Sequence, residues 1–229
     1  MNTISFHKLT KRYGSVLAVD DLSFDVPPGR VTGLLGPDGS GKTTALHILL
    51  GLAAPTSGTV TVAGWPYRRL PDRLRRVGAA LDSSTFHPGR SAAQHLRIIT
   101  TAADLPPGRV DEVLDLAGLS DVAGRKVGGF SAGMRQRLSL AGALLGHPRV
   151  LVLDEPLNGL DPDGIRWIRG LLRSLAADDR TVLISGHLLS EVAQIAEDVV
   201  VVSRGRLVAR ATLSELFLGL ARHDQEIAA

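Results

Sequence analysis

The chain has 229 residues, with 26 lysines and arginines against 23 aspartates and glutamates, and a formal net charge of +3. It contains no cysteine, so disulfide bonds are excluded and a reducing compartment suits it. No run approaches the roughly 18 apolar residues of a membrane span, and the first residues lack the apolar stretch of a signal peptide. We therefore expect no membrane span, and a length sufficient for one sizeable core with an inserted subdomain.

The first third of the chain alternates short β-type segments with turns. Residues 3–9, 22–26 and 58–64 predict antiparallel strands. Residues 30–36 differ, because this apolar segment runs straight into a glycine loop and then into a helical pattern over residues 42–52. Two further apolar segments, residues 150–154 and 181–185, each follow a helical pattern. Strands that alternate with helices predict an α/β fold with a mostly parallel sheet covered on both faces.

The middle of the chain has a different character. Residues 84–146 are alanine-rich and helical in pattern, with little strand signal. We therefore predict one domain, in which residues 1–82 and 147–229 form the core with its β region and residues 83–146 form a helical subdomain. Residues 197–216 predict a last hairpin and a short helix.

Residues 36–43, GPDGSGKT, fit the pattern G-x-x-x-x-G-K-[ST] of a phosphate-binding loop. The loop glycines are Gly36, Gly39 and Gly41. They allow the backbone to wrap so that successive N–H groups point at one phosphate. Lys42 would bring a positive charge to the β- and γ-phosphates, and Thr43 a hydroxyl to Mg²⁺. The loop follows an apolar strand and opens a helix, which is the context that this motif requires.

Two carboxylates end the apolar strand predicted over residues 150–154. At the C-terminal end of a parallel strand, Asp154 and Glu155 would face the ligand crevice. Asp154 would hold Mg²⁺ through water, and Glu155 would act as the general base for the attacking water.

A second anion-binding element is predicted in residues 128–146, GGFSAGMRQRLSLAGALLG. Ser131 stands at the N-cap position of an amphipathic helix, whose free N–H groups and dipole favour a negative charge. A single chain thus carries two candidate phosphate sites.

Three other residues allow two interpretations each. Asp161 precedes Pro162 and predicts a helix N-cap, yet it can also face a neighbouring subunit. His187 follows a predicted strand, where it is a polar residue at a helix start or a catalytic group. Tyr13 is an exposed turn residue or a platform for an adenine ring.

The order of these features resembles the ATP-binding subunit of ATP-binding-cassette (ABC) transporters, and the resemblance covers essentially the whole chain. In that family Tyr13 matches the adenine-stacking loop, and FSAGM, with Ser131 and Gly133, stands at the signature position. Asp161 matches the dimer-contact loop and His187 the switch histidine. The residues that match the Walker A loop are Gly36, Pro37, Asp38, Gly39, Ser40, Gly41, Lys42, Thr43 and Thr44. Asp154 and Glu155 match the Walker B pair, and the implied catalytic residues are Glu155, His187 and Lys42.

The resemblance also explains the two phosphate sites. It implies a P-loop NTPase core that hydrolyses ATP with Mg²⁺. It further implies a head-to-tail homodimer or heterodimer in which the signature helix of one subunit serves the ATP of the other. The expected partner is a separate integral membrane transporter subunit, which would place this chain on the cytoplasmic face of the cell membrane. No nucleic-acid partner is expected.

Two departures from the commonest family pattern refine this expectation. FSAGM replaces LSGGQ, but Ser131 and Gly133 are kept, and the sequence looks like the branch that exports drugs, antibiotics or peptides. Asp82 stands where the family usually has a glutamine near Mg²⁺, so it is expected to reach the metal only through water. Phe86 and Pro88 match the part that faces the membrane subunit.

The sequence therefore favours an ATPase subunit that powers a membrane exporter of drugs, antibiotics, peptides or lipids. The alternatives are a cytosolic ABC ATPase that remodels an assembly or nucleic acid, and a cassette of a nutrient importer. The FSAGM signature is the main feature against the importer.

Overall fold

A three-stranded antiparallel sheet forms the N-terminal part of the computed structural model, which describes residues 3–81 and 86–215. Its strands are β1 (Ile4–Tyr13), β2 (Val16–Val26) and β4 (Ser57–Val62), in the order β2-β1-β4. On one face the rings of Phe6 and Phe24, paired across β1 and β2, stack with their centroids 4.3 Å apart. The predicted antiparallel strands are therefore present, and apolar side chains on neighbouring strands pack against each other.

The second sheet has six strands in the order β5-β6-β7-β3-β8-β9. They are β3 (Val31–Leu35), β5 (Val77–Ala80), β6 (Val150–Leu153), β7 (Thr181–Gly186), β8 (Asp198–Ser203) and β9 (Arg206–Thr212). All neighbours are parallel except β8 and β9, which form an antiparallel hairpin. Every residue of β3, β6 and β7 is buried, as expected when helices cover both faces of a parallel sheet. The predicted α/β class is confirmed.

Seven helices connect or cover the strands in the described ranges. They are α1 (Lys42–Leu49), α2 (Arg73–Arg76), α3 (Ala92–Ala102), α4 (Arg109–Leu116), α5 (Ala132–Leu144), α6 (Pro162–Ala177) and α7 (Leu189–Val192). Helices α3, α4 and α5 pack on one another, and α5 also packs on β5. None of the helices described is both long and apolar enough to span a bilayer.

Several elements differ from the sequence predictions, and β1 and β2 are both longer than predicted, over Ile4–Tyr13 and Val16–Val26. The first helix ends at Leu49, because Gly51 takes a positive φ of 69° that stops the helix. Strand β5 was not predicted, since its four residues, VGAA, carry little β propensity. The final hairpin is present as β8 and β9, whereas the short helix predicted after it falls partly outside the described residues.

The strand order fixes the position of the candidate site. Strands β6, β7 and β3 are adjacent and parallel, so their C-terminal ends meet at one edge of the sheet. The glycine loop follows β3, the two carboxylates follow β6, and His187 follows β7. Ligands of open α/β sheets bind at this edge.

Candidate active site

The glycine loop between β3 and α1 is shaped by close backbone contacts. Gly41 has φ +101°, and a Cβ added to it would lie 2.3 Å from the carbonyl oxygen of Ala18 in β2. A Cβ at Gly36 would lie 2.1 Å from the carbonyl oxygen of Val202 in β8. Only glycine fits either place. At Gly39, with φ +75°, a Cβ would meet nothing within 4 Å.

Lys42 is a buried cation inside this loop. The residue is 5% exposed, and its Nζ donates hydrogen bonds to the carbonyl oxygens of Gly36 (2.7 Å) and Pro37 (3.1 Å). Both partners are neutral, so the ammonium charge is not balanced by a carboxylate among these bonds. An anion bound in the loop would stabilise a buried charge of this kind. Ser40 adds a buried hydroxyl without a hydrogen-bond partner among the described residues.

The Asp154 carboxylate joins three elements. Thr43 at the start of α1 donates to its Oδ2 over 2.8 Å, and Ser185 at the end of β7 donates to its Oδ1. The Ser185 hydroxyl also accepts from the backbone N–H of Glu155 over 2.8 Å. The Thr43 hydroxyl and the Asp154 carboxylate are thus hydrogen-bonded to each other beside the phosphate loop.

Glu155 projects next to this pair from an unusual backbone conformation, with φ +46°. Its Oε2 accepts a hydrogen bond from the Asn158 amide and lies 3.9 Å from Nδ1 of His187. The Glu155 and His187 side chains are 28% and 39% exposed, so both are reachable by solvent. Two of the three residues predicted as catalytic, Glu155 and His187, are therefore neighbours.

The second helix start lies against a different loop. Ser131 caps α5, where its hydroxyl accepts from the backbone N–H of Met134 over 3.1 Å, and Ser131 is exposed. A Cβ at Gly133 would lie 3.6 Å from the carbonyl oxygen of Gly159. Asp161 caps α6 by accepting from the N–H of Gly164 over 2.7 Å. The α5 and α6 helix starts are therefore close to each other.

Tyr13 lies at the end of β1, opposite Val16 in the hairpin. It is 49% exposed, and Nζ of Lys11 sits 4.6 Å from the centroid of its ring. The same hairpin continues through Ala18, whose carbonyl oxygen faces Gly41. Tyr13 therefore belongs to the hairpin that contacts the phosphate loop through Ala18.

The residues predicted to face the membrane subunit, Phe86 and Pro88, lie in the segment that precedes α3. Phe86 packs edge-on against His95 of α3, with ring centroids 4.8 Å apart. The carbonyl oxygen of Pro88 accepts from the N–H of Gly128 over 3.0 Å, in the turn that leads to α5. The predicted water-mediated metal ligand, Asp82, lies outside the described residues.

Three residues of the site were missed at the level of sequence. Ser185 and Asn158 bond the two carboxylates, and Gln136 of α5, 7% exposed, donates to the carbonyl oxygen of Pro156 over 3.2 Å. Ser185 could have been predicted as a site residue, because it is a polar residue near the C-terminal end of a buried strand. No comparable signal marks Gln136, which lies 20 residues from its partner.

Comparisons with known proteins agree with this geometry. The model of the ABC transporter family matches residues 19–158. The bacitracin transport ATP-binding protein BcrA of Bacillus licheniformis is 41% identical over 203 residues, which cover 87% of this chain and 66% of that relative. The Nod factor export ATP-binding protein I of Burkholderia orbicola is 40% identical over 214 residues, covering 90% of this chain and 69% of the relative. This chain therefore spans about two-thirds of the length of these two relatives.

The fold also has a counterpart among solved structures. A dimeric bacterial ABC transporter cassette superposes with a TM-score of 0.83 at 25% identity, over 92% of this chain and 98% of that one. Fold and site define a P-loop nucleotide-binding protein. The chain belongs to the ABC transporter family, of which it is an ATP-binding, ATP-hydrolysing cassette.

The residues present fit both ATP and Mg²⁺. The glycine loop with its buried ammonium provides backbone N–H groups and a positive charge for the phosphates. Thr43 and Asp154 offer a hydroxyl and a carboxylate oxygen 2.8 Å apart, which are the hard oxygen ligands that Mg²⁺ prefers.

Replacing Ser185 tests its role in holding the two carboxylates. Ser185→Ala removes the donor to Asp154 and the acceptor for the Glu155 N–H, and hydrogen bonds to charged groups are worth about 1.5–3 kcal/mol. We expect kcat for ATP hydrolysis to fall about tenfold or more, with ATP affinity nearly unchanged. Ser174→Ala is the control, since that hydroxyl donates to the carbonyl oxygen of Leu171 in the same helix, α6. Wild-type kcat in Ser185→Ala would contradict the assignment.

Proposed function

We propose that this chain hydrolyses ATP with Mg²⁺ to drive a separate membrane-spanning subunit that exports antibiotic-, peptide- or lipid-like molecules. The observation that carries the hydrolytic part is the convergence of Lys42, the Thr43–Asp154 pair and Glu155 at one sheet edge. The export part is supported by the relatives, which are named for bacitracin transport and Nod factor export.

In this proposal each polar side chain has a separate task. Lys42 holds the β- and γ-phosphates, and Thr43 and Asp154 hold Mg²⁺, which supplies a Lewis acid for the phosphate oxygens when bound. Tyr13 stacks on the adenine. The other loop residues that contact the phosphates are Gly36, Pro37, Asp38, Gly39, Ser40, Gly41 and Thr44.

Glu155 accepts the proton of the attacking water in this scheme. Its carboxylate is oriented by the Asn158 amide, and its backbone N–H is held by Ser185. His187, whose Nδ1 lies 3.9 Å from the same carboxylate, would contact the γ-phosphate and the attacking water. Orientation of a general base by neighbouring donors is what this step requires.

The signature helix serves a different nucleotide. Helix α5 packs on β5, and β5 is three strands away from β3, which leads into the phosphate loop. At about 4.8 Å per strand this is a separation of about 14 Å within the sheet. We infer that Ser131, exposed at the start of α5, and Gly133 bind the ATP of a second subunit, with Asp161 at the same dimer contact. Two such contacts about a twofold axis close a head-to-tail dimer.

The membrane subunit would dock on a groove of 470 Å³ between the core and the helical part. Phe86, His95 and Leu138 line it, and Pro88 stands beside it on the same loop. Burial lowers the pKa of His95, and nearby Arg90 lowers it further, so the imidazole is neutral at pH 7. The groove thus presents a largely uncharged surface, which fits an apolar segment of the membrane subunit on the cytoplasmic side.

The general base is tested by Glu155→Gln. Because the amide cannot accept the proton, hydrolysis should slow by about 10²-fold or more while ATP binding is retained. The variant should then accumulate an ATP-bound dimer on size-exclusion chromatography. Glu112→Gln, at an exposed position on α4, is the matched control and should behave as wild type. Wild-type turnover in Glu155→Gln would remove Glu155 from the mechanism.

The sharing of sites between subunits is tested by mixing two inactive variants. Ser131→Arg blocks the signature helix, and Lys42→Ala disables the phosphate loop. In the mixed dimer both defects fall on one composite site, and the other site is intact. We expect each variant alone to lack ATPase activity and the mixture to regain it. No recovery at any mixing ratio would contradict a site shared between subunits.

A further inference from the structure

The C-terminal end of α4 is closed by side chains from two other helices. Its last backbone carbonyls need partners from outside the helix. Those of Val113, Leu114 and Asp115 accept from the local N–H groups of Ala117, Leu119 and Gly118. The next two carbonyls have distant partners. Trp167 Nε1 of α6 donates to the carbonyl oxygen of Leu116 over 3.2 Å, and Arg137 Nη1 of α5 donates to that of Ala117 over 3.2 Å.

The two donors also contact each other. The guanidinium carbon of Arg137 lies 4.3 Å from the centroid of the Trp167 ring, which is a cation–π distance. A cation at a helix C-terminus is further stabilised by the helix dipole. The chain turns sharply here, since Gly118 has φ +64° and a Cβ on it would lie 3.1 Å from Arg137 Nη1. Three helices are thus joined at one point, which we call the α4 joint (Leu116, Ala117, Arg137 and Trp167).

The two side chains of the α4 joint lie at the same distance from the starts of their helices, α5 and α6. Arg137 lies six residues after Ser131, the N-cap of α5, and Trp167 lies six residues after Asp161, the N-cap of α6. At 1.5 Å per residue, each helix start is about 9 Å along its axis from the joint. The joint therefore fixes the relative position of the two helix starts that carry the proposed trans contacts.

We propose that Trp167 and Arg137 are positioning residues that hold Ser131 in place for the nucleotide of the second subunit. This inference rests on the proposed function. The chain's own phosphate loop is held by other bonds, from Lys42 to the loop carbonyls and from Ser185 and Thr43 to Asp154. Weakening the joint should therefore impair the site formed with the partner and spare ATP binding by the single subunit.

The first experiment separates ATP binding from turnover. Trp167→Leu removes the indole donor and the ring, and Trp167→Phe removes only the donor. We expect kcat to fall about tenfold in Trp167→Leu and by a smaller factor in Trp167→Phe, as losing one hydrogen bond and one cation–π contact implies. The affinity of the monomer for a fluorescent ATP analogue should change by less than about twofold. Arg137→Met should resemble Trp167→Leu.

The control is Trp65→Leu, which changes the other tryptophan of the chain at a position that is 58% exposed. Thermal unfolding of each variant establishes that it is folded. If Trp167→Leu is unfolded, Trp167→Phe and Arg137→Met carry the test. An unchanged kcat in the folded variants, or a loss of ATP affinity that matches the loss of kcat, would overturn the proposal.

The second experiment asks on which site the defect acts. Mixed with Lys42→Ala, Trp167→Leu should give activity above the average of the two separate variants, because one composite site is then intact. If Ser131→Arg is rescued by Lys42→Ala but Trp167→Leu is not, the joint acts within its own subunit and the inference is wrong, while the proposed function stands. If neither mixture recovers, the shared site fails and the inference fails with it.

Discussion

One carboxylate holds the site together. Asp154 accepts from Thr43 at the start of α1 and from Ser185 at the end of β7, and it stands itself at the end of β6. The bond from Thr43 links the phosphate loop to the end of β6. The bond from Ser185 links the end of β6 to the neighbouring strand β7. The position of Glu155 follows, because its N–H is bonded to the same Ser185 hydroxyl. The positions of the phosphate loop, the Asp154 carboxylate and Glu155 relative to one another are therefore set by bonds among α1, β6 and β7.

The second constraint is the distance between the two candidate phosphate sites. The sheet order separates the strand beneath α5 from the strand that leads to the glycine loop. In the proposed dimer, two chains arranged head to tail bring one helix start from each chain to the same phosphate. In the proposed cycle ATP then links two subunits, and hydrolysis removes the link. Movement of the two subunits would reach the membrane partner through the groove around Phe86.

Local sequence patterns predicted the phosphate loop and the starts of helices α5 and α6. The loop of residues 36–43 was recognised because its glycines, lysine and threonine must stand at fixed spacing after a strand. Ser131 and Asp161 were recognised as N-caps, and both cap their helices. These signals lie within a few residues of the feature that they predict, so the sequence alone contains them.

The remaining features depend on contacts between distant segments. The Ser185–Asp154 bond joins residues 31 apart and requires β6 and β7 to be neighbours, which no local pattern reveals. The stacking of Arg137 on Trp167 likewise depends on how α5 and α6 pack. Strand β5 was missed because VGAA has no periodic apolar pattern. The strand forms because it pairs with β6, a contact that its own sequence does not reveal.

The head-to-tail dimer is the central claim, and energy transfer between labelled subunits tests it most directly. The chain has no cysteine, so Ser15→Cys, in the hairpin next to the phosphate loop, and Lys126→Cys, shortly before α5, can each carry one dye. In the Glu155→Gln background, ATP should produce strong transfer from a Ser15-labelled subunit to a Lys126-labelled one, and weaker transfer between two Ser15-labelled subunits. Adding Ser131→Arg to both labelled subunits should abolish the signal. Equal or reversed transfer for the two pairs, or no ATP-dependent transfer while ATP remains bound, would contradict the account.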